Sequence, residues 1–311
     1  MVNTSHGQLV TIGELTLDDV VVEDQGADWK QAGGGGLYSA VGALTWSDDV
    51  ALSSVIGEDY PEELLSELKG AGLQLDGVIR SSAVASIGLW LLYERDGARR
   101  QLEKRSGGTF AEVDAERHSP YACGLNPTAI HVAPQSSSGQ VRALEQVRGR
   151  DVVRTLDVLI EPTIDRDPYL SGELFHDLDA FLPSEQEVVD LWGHSDIRRL
   201  AAWLSDHGSP AVLVMKRGAA GVDVHVEGTV TRVPSVVSTL VDPTGAGDAF
   251  CGGFLAGLRA TGDPVEAAVR GCVSSSFVCE TRGALAAAAA SHPDLARARA
   301  DILRKSLREA S

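Results

Sequence analysis

Small residues and a carboxylate are combined in one short segment of the chain. Gly245, Ala246 and Gly247 precede Asp248, and apolar side chains then recur at helical spacing over residues 250–258. This spacing predicts a helix that begins near Gly247. The first turn of a helix presents free N–H groups and a positive dipole end, so it binds anions such as phosphate, and small residues let the backbone approach closely. A carboxylate at Asp248 could take a proton from an attacking hydroxyl there, which is the chemistry of phosphoryl transfer.

The same segment also has an ordinary structural interpretation. A turn followed by a first-turn carboxylate would favour the helix dipole without any ligand. Gly252 and Gly253 argue against this interpretation, because glycine destabilises a helix interior and its presence there indicates close packing or the approach of a ligand. Beyond residue 261, Asp263 and Pro264 have the residue types of an N-cap and a first turn, with Glu266 two residues further on, and they predict a second helix.

Residues 242–254, DPTGAGDAFCGGF, resemble the C-terminal signature of the ribokinase-like, or PfkB, carbohydrate kinase family. The resemblance implies an α/β fold, a three-layer α/β/α sandwich with a mostly parallel central sheet and a small β-sheet lid. It also implies MgATP as phosphoryl donor and a hydroxyl group of a sugar or a nucleoside as acceptor. By position, Asp248 resembles the catalytic base, while Gly245, Ala246 and Gly247 resemble the anion hole.

The resemblance extends to a loop that binds a monovalent cation such as K+ in many family members. Asp242 and Thr244 resemble the start of this loop, and Gly283 matches the position that closes it. Thr244 is also expected to lie beside the nucleotide. The expected cofactors are therefore ATP and Mg2+, together with K+ if this loop is functional.

Acceptor contacts are implied after the first predicted strand and in the glycine run that follows. Family members place an acid at Asp18, where both carboxylate oxygens can accept hydrogen bonds from a pair of sugar hydroxyls, with Thr16 nearby. Gly33 and Gly34 match a glycine pair that lets the backbone approach the sugar. Tyr38 stands where the family has a sugar-binding Asn, and this departure argues against a simple ribose-type acceptor. The structural alternatives are a solvated loop acid and a flexible turn.

Nucleotide and metal contacts are implied in two further segments. Ser184 and Glu187 have the spacing of an S-x-x-E capping box. The family has N-x-x-E here, so the resemblance implies that Glu187 binds Mg2+ through water and that Ser184 replaces the Asn beside the cofactor. Lys216, Gly218 and Gly221 lie where the family has a nucleotide-contacting loop. Gly218 matches backbone close to ATP, and Lys216 is either a phosphate contact or an exposed loop lysine.

A hairpin interrupts the alternation of strands and helices. Residues 86–93 and 98–104 flank an Asp96-Gly97 turn, and no helical segment follows to cover them. Together with residues 14–25, the segment 86–106 is predicted to form the lid, inserted in a single kinase domain that spans residues 1–311.

Several side chains near this hairpin could contact the acceptor or play a structural role. Arg105 is a candidate acceptor contact, as are Trp90, Tyr93 and Lys104, although strand aromatics are more often packed and basic side chains more often solvated. Asp59 follows a glycine in a turn that resembles a family motif. Because Pro61 and Glu62 follow it, we interpret Asp59 as the N-cap of the next helix.

Apolar runs and helical patterns alternate along most of the chain. This order predicts a largely parallel sheet with helices on both faces and ligands at the carboxyl ends of the strands. The predicted strands cover residues 9–12, 50–53, 87–93, 129–132, 152–156, 180–182, 212–215 and 222–226. The predicted helices cover residues 61–70, 140–147, 185–191, 196–206, 247–261 and the alanine-rich segment 284–290.

Composition limits the classes of partner. Lys and Arg number 27 against 44 Asp and Glu, a net charge of −17, which argues against nucleic acid or an anionic membrane. A small anionic ligand stays possible because charges are screened beyond ~10 Å. The four cysteines form no C-x-x-C pair, and we find neither a secretory signal nor an apolar run near the ~20 residues of a membrane span. We therefore expect a cytoplasmic protein with reduced thiols.

Several functions stay open at this point. A sugar is the first choice of acceptor, and a nucleoside is the alternative because Tyr38 or Trp90 could stack on a base. A catalytically silent sugar or nucleotide sensor would explain Tyr38 and Ser184 but not the presence of Asp248. A Rossmann dehydrogenase is disfavoured, since no G-x-G-x-x-G follows the first strand. By analogy with the family, a homodimer through the lid is also expected.

Overall fold

Strands and helices alternate in the computed structural model, which describes residues 7–24, 26–94, 99–160, 164–208 and 210–310. The strands are β1 (Gln8–Ile12), β2 (Thr16–Val22), β3 (Gly26–Gly33), β4 (Val50–Gly57), β5 (Gln74–Ser81), β6 (Gly88–Tyr93), β7 (Arg99–Glu103), β8 (Pro127–Val132), β9 (Val153–Leu156), β10 (Ala180–Phe181), β11 (Val212–Lys216), β12 (Val222–Val226) and β13 (Thr229–Val233). The α-helices are α1 (Gly35–Leu44), α2 (Glu62–Gly70), α3 (Phe110–Ala115), α4 (Ser137–Glu145), α5 (Asp167–Leu170), α6 (Glu185–Trp192), α7 (Ile197–Ser205), α8 (Ala246–Thr261), α9 (Pro264–Cys279), α10 (Ala284–Ala290) and α11 (Pro293–Ala310). Within the described ranges, no helix combines the length and apolar character that crossing a bilayer requires.

The central sheet has nine strands within the described residues, in the order β13-β12-β11-β10-β9-β8-β1-β4-β5. Neighbouring strands from β5 to β11 pair in parallel, whereas β12 and β13 add antiparallel strands at one edge. Parallel neighbours need crossover connections, and these place helices over the sheet. The predicted, mostly parallel sheet is confirmed.

Alternate residues of the strands enter different hydrophobic cores. Val10 and Ile12 pack with α4, α6 and α7, whereas Leu9, the residue before Val10, packs with α1 and α8. Val212 and Val214 pack with α8 and α9. Because successive strand side chains point to opposite faces, the helices form one layer on each side of the sheet. The fold is therefore the three-layer α/β/α sandwich that was predicted.

Four strands form a separate sheet, called the small sheet below, in the order β3-β2-β6-β7. β2 pairs antiparallel with β3 and parallel with β6, and β6 pairs antiparallel with β7. The predicted segments 14–25 and 86–106 supply β2, β6 and β7, whereas β3 is absent from the prediction. Most side chains of β3 are exposed, so it lacks the apolar alternation that marks a strand. The predicted Asp96-Gly97 turn lies outside the described residues.

The predicted helix starts around the anion-binding segment agree with the structure. α8 begins at Ala246, and Asp263 caps α9 by accepting hydrogen bonds from the backbone N–H groups of Val265 and Glu266. α10 covers the alanine-rich segment with the predicted bounds. The prediction omits β5 and β13. β5 contains an exposed aspartate and a glycine, and β13 is only partly buried, so neither has a strong strand pattern.

The prediction that Asp59 is the N-cap of α2 is wrong. α2 begins at Glu62 after Pro61, with no side-chain capping bond among the described residues. Asp59 Oδ1 instead accepts hydrogen bonds from the backbone N–H and the hydroxyl of Ser86, both at 2.9 Å. Ser86 Oγ in turn accepts from Gly57 N at 3.0 Å. Asp59 therefore ties the end of β4 to the segment that enters β6 of the small sheet.

Candidate active site

The first turn of α8 has the geometry of an anion-binding helix terminus. Gly245 is its N-cap, with φ 74° and ψ 4°, a left-handed conformation that favours glycine. A Cβ at Gly245 would lie 2.2–2.5 Å from ring atoms of Tyr38, so glycine is needed for space as well. Ala246 donates its N–H to the carbonyl oxygen of Pro243 at 3.1 Å. Of the three residues predicted for the anion hole, Ala246 thus has its amide engaged within the loop.

Asp248 lies on this first turn and against the start of α1. A Cβ at Gly35 would be 3.0 Å from Asp248 Oδ1, so the two helices approach closely at the carboxylate. Further along, a Cβ at Gly252 would be 1.7 Å from the carbonyl oxygen of Ser39, and a Cβ at Gly42 would be 2.0 Å from that of Ala249. The helical glycine Gly252 therefore serves close packing, which was one of its two predicted roles. This packing sets the position of the Asp248 carboxylate relative to α1.

A cleft of about 450 Å³, called the first cleft, lies between the carboxyl ends of the central strands and the small sheet. Most predicted site residues line it: Thr16, Asp18, Gly34, Tyr38, Ser184, Glu187, Lys216, Gly218, Thr244, Gly245, Ala246, Gly247 and Asp248. These residues come from loops far apart in the sequence. Their convergence follows from the parallel sheet, because the carboxyl ends of its strands share one edge.

Asp18 is the buried carboxylate on the β2 side of the first cleft. Its Oδ1 accepts a hydrogen bond from Thr16 Oγ1 at 2.7 Å, and the residue is only 4% exposed. A Cβ at Gly33 would lie 1.9 Å from Asp18 Oδ2, and one at Gly34 would lie 2.3 Å from the Glu14 carbonyl oxygen. Gly33 does not line the cleft but makes room for the Asp18 carboxylate. The Asp18 carboxylate therefore leaves no room for a side chain at Gly33, and the Glu14 backbone leaves none at Gly34.

A second cleft, also of about 450 Å³, meets the first at the start of α8. Lys216, Gly218, Pro243, Ala246 and Gly247 line both clefts. The other residues that line the second cleft are Ala219, Gly221, Val222, Ser235, Val237, Ser238, Leu240, Phe250, Cys272, Ser275 and Cys279. The two clefts thus share the residues at the start of α8, including two of the three predicted for the anion hole.

A buried cluster of polar groups lies where the clefts meet. Lys216, the last residue of β11, forms an ion pair through Nζ with Asp157 Oδ2, and Asp157 directly follows β9. The Cys251 thiol of α8 donates to the same Asp157 oxygen at 3.4 Å. A Cβ at Gly247 would lie 3.6 Å from Lys216 Nζ, so the ammonium faces the first turn of α8. Asp157 was not predicted as a site residue.

Glu187 and Ser184 form the predicted capping box at the start of α6. Ser184 Oγ accepts from the Glu187 N–H at 3.3 Å, and Glu187 Oε2 accepts from the Ser184 N–H. Burial, with the nearby Asp157 charge, raises the pKa of Glu187 to about 7. Since both residues also line the first cleft, the structural role and the expected metal role are compatible in space. No group of three or more His, Cys, Asp or Glu residues that could hold a metal by itself is found in the described part of the chain.

The three residues predicted for a cation loop surround a third cavity of about 250 Å³. Asp242, Thr244 and Gly283 line it, together with Asp18 and Tyr38, which also face the first cleft. The hydroxyl oxygen of Thr244 is buried with no hydrogen-bond partner among the described residues. Thr244 and Asp242 thus offer oxygen ligands at this cavity, which the cationic Arg282 also lines.

Some candidate acceptor contacts are not brought to the first cleft. Arg105 lies on an exposed turn and does not line it. Trp90 points to the opposite face of the small sheet, where its ring packs edge-on against Trp29. Lys104 pairs with Asp19 at 2.8 Å on that same face. Successive side chains of a strand point to opposite faces of its sheet. The residues on either side of Trp90 in β6 face the cleft, so Trp90 faces away from it.

Other residues line the first cleft but were not predicted as site residues. From the small sheet and α3 these are Leu89, Leu91, Gln101 and Phe110. The alternation of apolar residues along β6 could have indicated which side chains face inward. Nothing in the sequence marks Gln101 or Phe110 as cleft residues, because their placement depends on how the small sheet sits over the central one.

The family model of the pfkB family carbohydrate kinases matches residues 7–290. The cytidine kinase of Thermococcus kodakarensis is 28% identical over 266 residues, 84% of this chain and 92% of that protein. The fructokinase of Klebsiella pneumoniae is 28% identical over 299 residues, 91% of this chain and 94% of that protein.

Two solved structures show the same fold. Ribokinase of Arabidopsis thaliana, complexed with ribose and ATP, matches with a TM-score of 0.75 and 20% identity over 96% of this chain and 98% of that one. The nucleoside kinase of Burkholderia thailandensis, in complex with inosine, matches with a TM-score of 0.75 and 16% identity over 94% and 96% of the two chains.

The chain belongs to the PfkB family of carbohydrate kinases. It is a kinase of this family, a phosphotransferase that uses an alcohol group as acceptor.

Proposed function

We propose that the protein transfers the γ-phosphoryl group of MgATP to a hydroxyl group of a sugar or of a molecule that contains a sugar. The observation that carries this proposal is the junction of the two clefts at the first turn of α8, with Asp248 on that turn. A donor in the second cleft and an acceptor in the first would meet at an anion-binding turn and a carboxylate. These are the parts that phosphoryl transfer needs.

The second cleft suits a nucleotide in shape and chemistry. Val237, Leu240 and Phe250 provide apolar surface for a base, and Gly218 and Gly221 bring backbone close to the cleft. The Lys216 ammonium and the first turn of α8 suit the phosphates. Bound MgATP supplies the activated phosphoryl group. Because Mg2+ at phosphates usually keeps several waters and few carboxylates, Glu187 is sufficient as its protein contact through water, with Ser184 and Thr244 nearby.

In the proposed mechanism Asp248 accepts the proton of the acceptor hydroxyl as that oxygen attacks phosphorus. Asp18 holds neighbouring hydroxyls of the acceptor through its carboxylate oxygens. The backbone at Gly34, which lines the first cleft, can approach the acceptor closely, while Gly33 makes room for the Asp18 carboxylate. The first-turn amides, at Gly245 and Gly247 in particular, donate hydrogen bonds to the phosphoryl oxygens. The small sheet acts as a lid that excludes water, which would otherwise compete with the acceptor.

We propose that the third cavity binds K+ or a similar monovalent cation. Asp242, Thr244 and Gly283 would hold it, and the buried, unpartnered Thr244 hydroxyl supports this assignment. Asp242 and Thr244 immediately precede Gly245 and its turn, so an ion held by them would stabilise the loop conformation of Gly245.

A nucleoside is a second candidate for the acceptor, favoured by the composition of the first cleft. Its lining combines the carboxylates of Asp18 and Asp248 with the apolar side chains of Leu89, Leu91 and Phe110. A sugar presents hydroxyls on most sides, whereas a nucleoside has a sugar at one end and flat apolar faces at the other. The relatives named cytidine kinase and fructokinase support the two acceptor classes alike.

The test is ADP release from MgATP, with and without KCl, against a panel of sugars, sugar acids, sugar phosphates and nucleosides. We expect one class to give turnover and the Asp248→Asn variant to lose at least about a hundredfold in kcat, because a positioned base contributes that much. Turnover that survives in this variant would contradict the assigned base. Binding of ATP and acceptor without turnover would favour the sensor instead.

A further inference from the structure

Asp157 and Lys216 form a buried ion pair that the proposed mechanism uses only in part. The Lys216 side chain is 11% exposed and the Asp157 side chain 2% exposed. Lys216 ends β11 and Asp157 directly follows β9, and these two strands lie on either side of β10. A charge pair at the strand ends of one sheet has a well-defined position, in contrast to a lysine on a surface loop.

Every polar atom of the Asp157 carboxylate is engaged. Oδ1 accepts from the Val158 N–H at 2.9 Å, and Oδ2 accepts from Lys216 Nζ and from the Cys251 thiol. Cys251 belongs to α8, and its sulfur also lies 3.8 Å from Lys216 Nζ. Asp157 thus connects the sheet to the helix whose first turn forms the anion site.

The Lys216 ammonium is held where a transferred phosphoryl group would pass. Lys216 lines both clefts, and its Nζ faces Gly247 of the anion-binding turn. Lysine has a long flexible side chain, so an unheld ammonium would sample several rotamers and lose entropy on binding a phosphate. A donor that is already in place needs no reorganisation during the reaction.

We infer that Asp157 is a positioning residue, which holds the Lys216 ammonium at the junction of the two clefts so that it binds the phosphoryl group during transfer. The inference rests on the proposed function. Asp157 acts through Lys216 and does not itself touch the phosphoryl group. Asp157 also competes with phosphate for the Lys216 ammonium. Its role is therefore to help stabilise the transition state of phosphoryl transfer, not to raise the ground-state affinity for nucleotide.

The experiment compares Asp157→Asn, Asp157→Glu, Lys216→Met and the double variant Asp157→Asn/Lys216→Met. Calorimetric titration with an unhydrolysable ATP analogue and Mg2+ measures ground-state binding, steady-state kinetics with the active acceptor measures kcat, and thermal unfolding reports the folded state. Asp151, an exposed carboxylate outside both clefts, provides the matched control as Asp151→Asn.

For Asp157→Asn we expect kcat to fall at least about tenfold while analogue affinity stays within about threefold or becomes tighter, since the ammonium is mispositioned but still charged. For Lys216→Met we expect both kcat and analogue affinity to fall at least about tenfold. In the Lys216→Met background, the added Asp157→Asn change should alter kcat by less than about threefold, because Asp157 then has nothing to position.

Removing one member of a buried pair leaves an uncompensated charge, so Asp157→Asn could lose its fold. Asp157→Glu keeps the charge and moves it by one methylene group, and the double variant removes both charges. If Asp157→Asn is unfolded, a lower kcat in Asp157→Glu with unchanged analogue affinity supports the inference, and wild-type kcat in Asp157→Glu overturns it.

Two results overturn the positioning role: a kcat for Asp157→Asn within about threefold of wild type, or an equal loss from Asp157→Asn with and without Lys216. Failure of the proposed function has a different signature, which is wild-type protein without turnover on any acceptor. In that case only the titrations with the ATP analogue test the inference. If Lys216→Met and wild type bind the analogue with equal affinity, Lys216 does not contact the phosphates and Asp157 has no positioning role there.

Discussion

Tyr38 shows how one residue can differ from its family and still contribute to the site. From its position in the sequence, Tyr38 was predicted to contact the acceptor in place of an Asn. In the structure its ring packs against Gly245 and separates the first cleft from the third cavity. Burial, together with the nearby carboxylates of Asp18, Asp242 and Asp248, raises the pKa of the Tyr38 hydroxyl, so it stays neutral. Tyr38 is therefore a wall of the cleft and a support of the anion-binding loop.

His131 provides a pH-dependent term in the stability of the fold. It is fully buried on β8, with Nδ1 2.9 Å from Thr155 Oγ1, and burial plus the Lys216 charge lowers its pKa from 6.5 to about 3. Between these values the unfolded chain binds a proton that the folded chain does not. Stability conferred by neutral His131 is thus complete above pH 6.5 and lost as the pH falls toward 3, by up to ~1.4 kcal/mol per pH unit.

We expect His131→Gln to remove this pH-dependent contribution to the free energy of unfolding while leaving the other titrating groups in place. The measurement is the free energy of unfolding in urea at several pH values between 4 and 7 for both proteins. The wild type should lose stability more steeply than the variant as the pH falls. Parallel pH dependences would contradict a depressed pKa for His131.

The sequence predicted Asp248 as a site residue but not Asp157, because only Asp248 lies in a segment with a recognisable pattern. Asp248 belongs to a recognisable glycine-rich helix start, so its environment can be read from adjacent residues. Asp157 follows a strand with ordinary neighbours, and its partners Lys216 and Cys251 are 59 and 94 positions away. Contacts between distant strand ends depend on strand order, and strand order is not encoded in any one segment.

At the scale of elements, α8 carries a matched pair of glycines at its two ends. Gly245 and Gly262 have nearly the same backbone conformation, with φ 74° and 68°. A Cβ at Gly262 would meet no atom of the described residues within 4 Å, whereas a Cβ at Gly245 would collide with the Tyr38 ring. Comparing an alanine at each position therefore separates backbone strain from the cost of the collision.

We expect Gly262→Ala to cost roughly 1–2 kcal/mol from the left-handed backbone and to leave kcat unchanged. Gly245→Ala should cost about 1–3 kcal/mol more, since the Tyr38 ring must shift, and should lower kcat because the anion-binding loop moves with it. Urea unfolding and steady-state kinetics measure both effects. Equal destabilisation by the two changes would show that the Tyr38 ring gives way at no cost.

Elements with a strong periodic pattern were predictable, and elements stabilised mainly by neighbours were not. α8 and α9 have capping residues and apolar repeats. The predicted start of α8 is one residue from the observed start, and the predicted start of α9 coincides with it. β3 is mostly exposed and owes its conformation to pairing with β2. A strand of this kind has no signal of its own, because its hydrogen bonds come from a partner that the local sequence does not specify.

At the scale of the whole molecule, the small sheet has two faces with different character. Leu89 and Leu91 line the first cleft, while Trp29 and Leu102 on the small sheet are 58% and 53% exposed. Trp29 also packs edge-on against Trp90, with ring centroids 5.7 Å apart. Large apolar side chains gathered on an exposed sheet face indicate an interaction surface. A second copy of the chain is the expected occupant, because most soluble oligomers are symmetric and bury the same patch twice.

We expect the wild-type protein to sediment with twice the monomer mass and Trp29→Lys to sediment as a monomer, since a charge introduced in place of this exposed aromatic ring would have to be desolvated on association. Sedimentation velocity over a range of concentrations measures this. Leu295→Lys is the matched control, because Leu295 is also exposed, at 44%, but lies on α11 and not on the small sheet. A dimer that persists in Trp29→Lys and dissociates in Leu295→Lys would place the interface on α11, and a monomeric wild type would mean that the exposed face of the small sheet stays open to solvent.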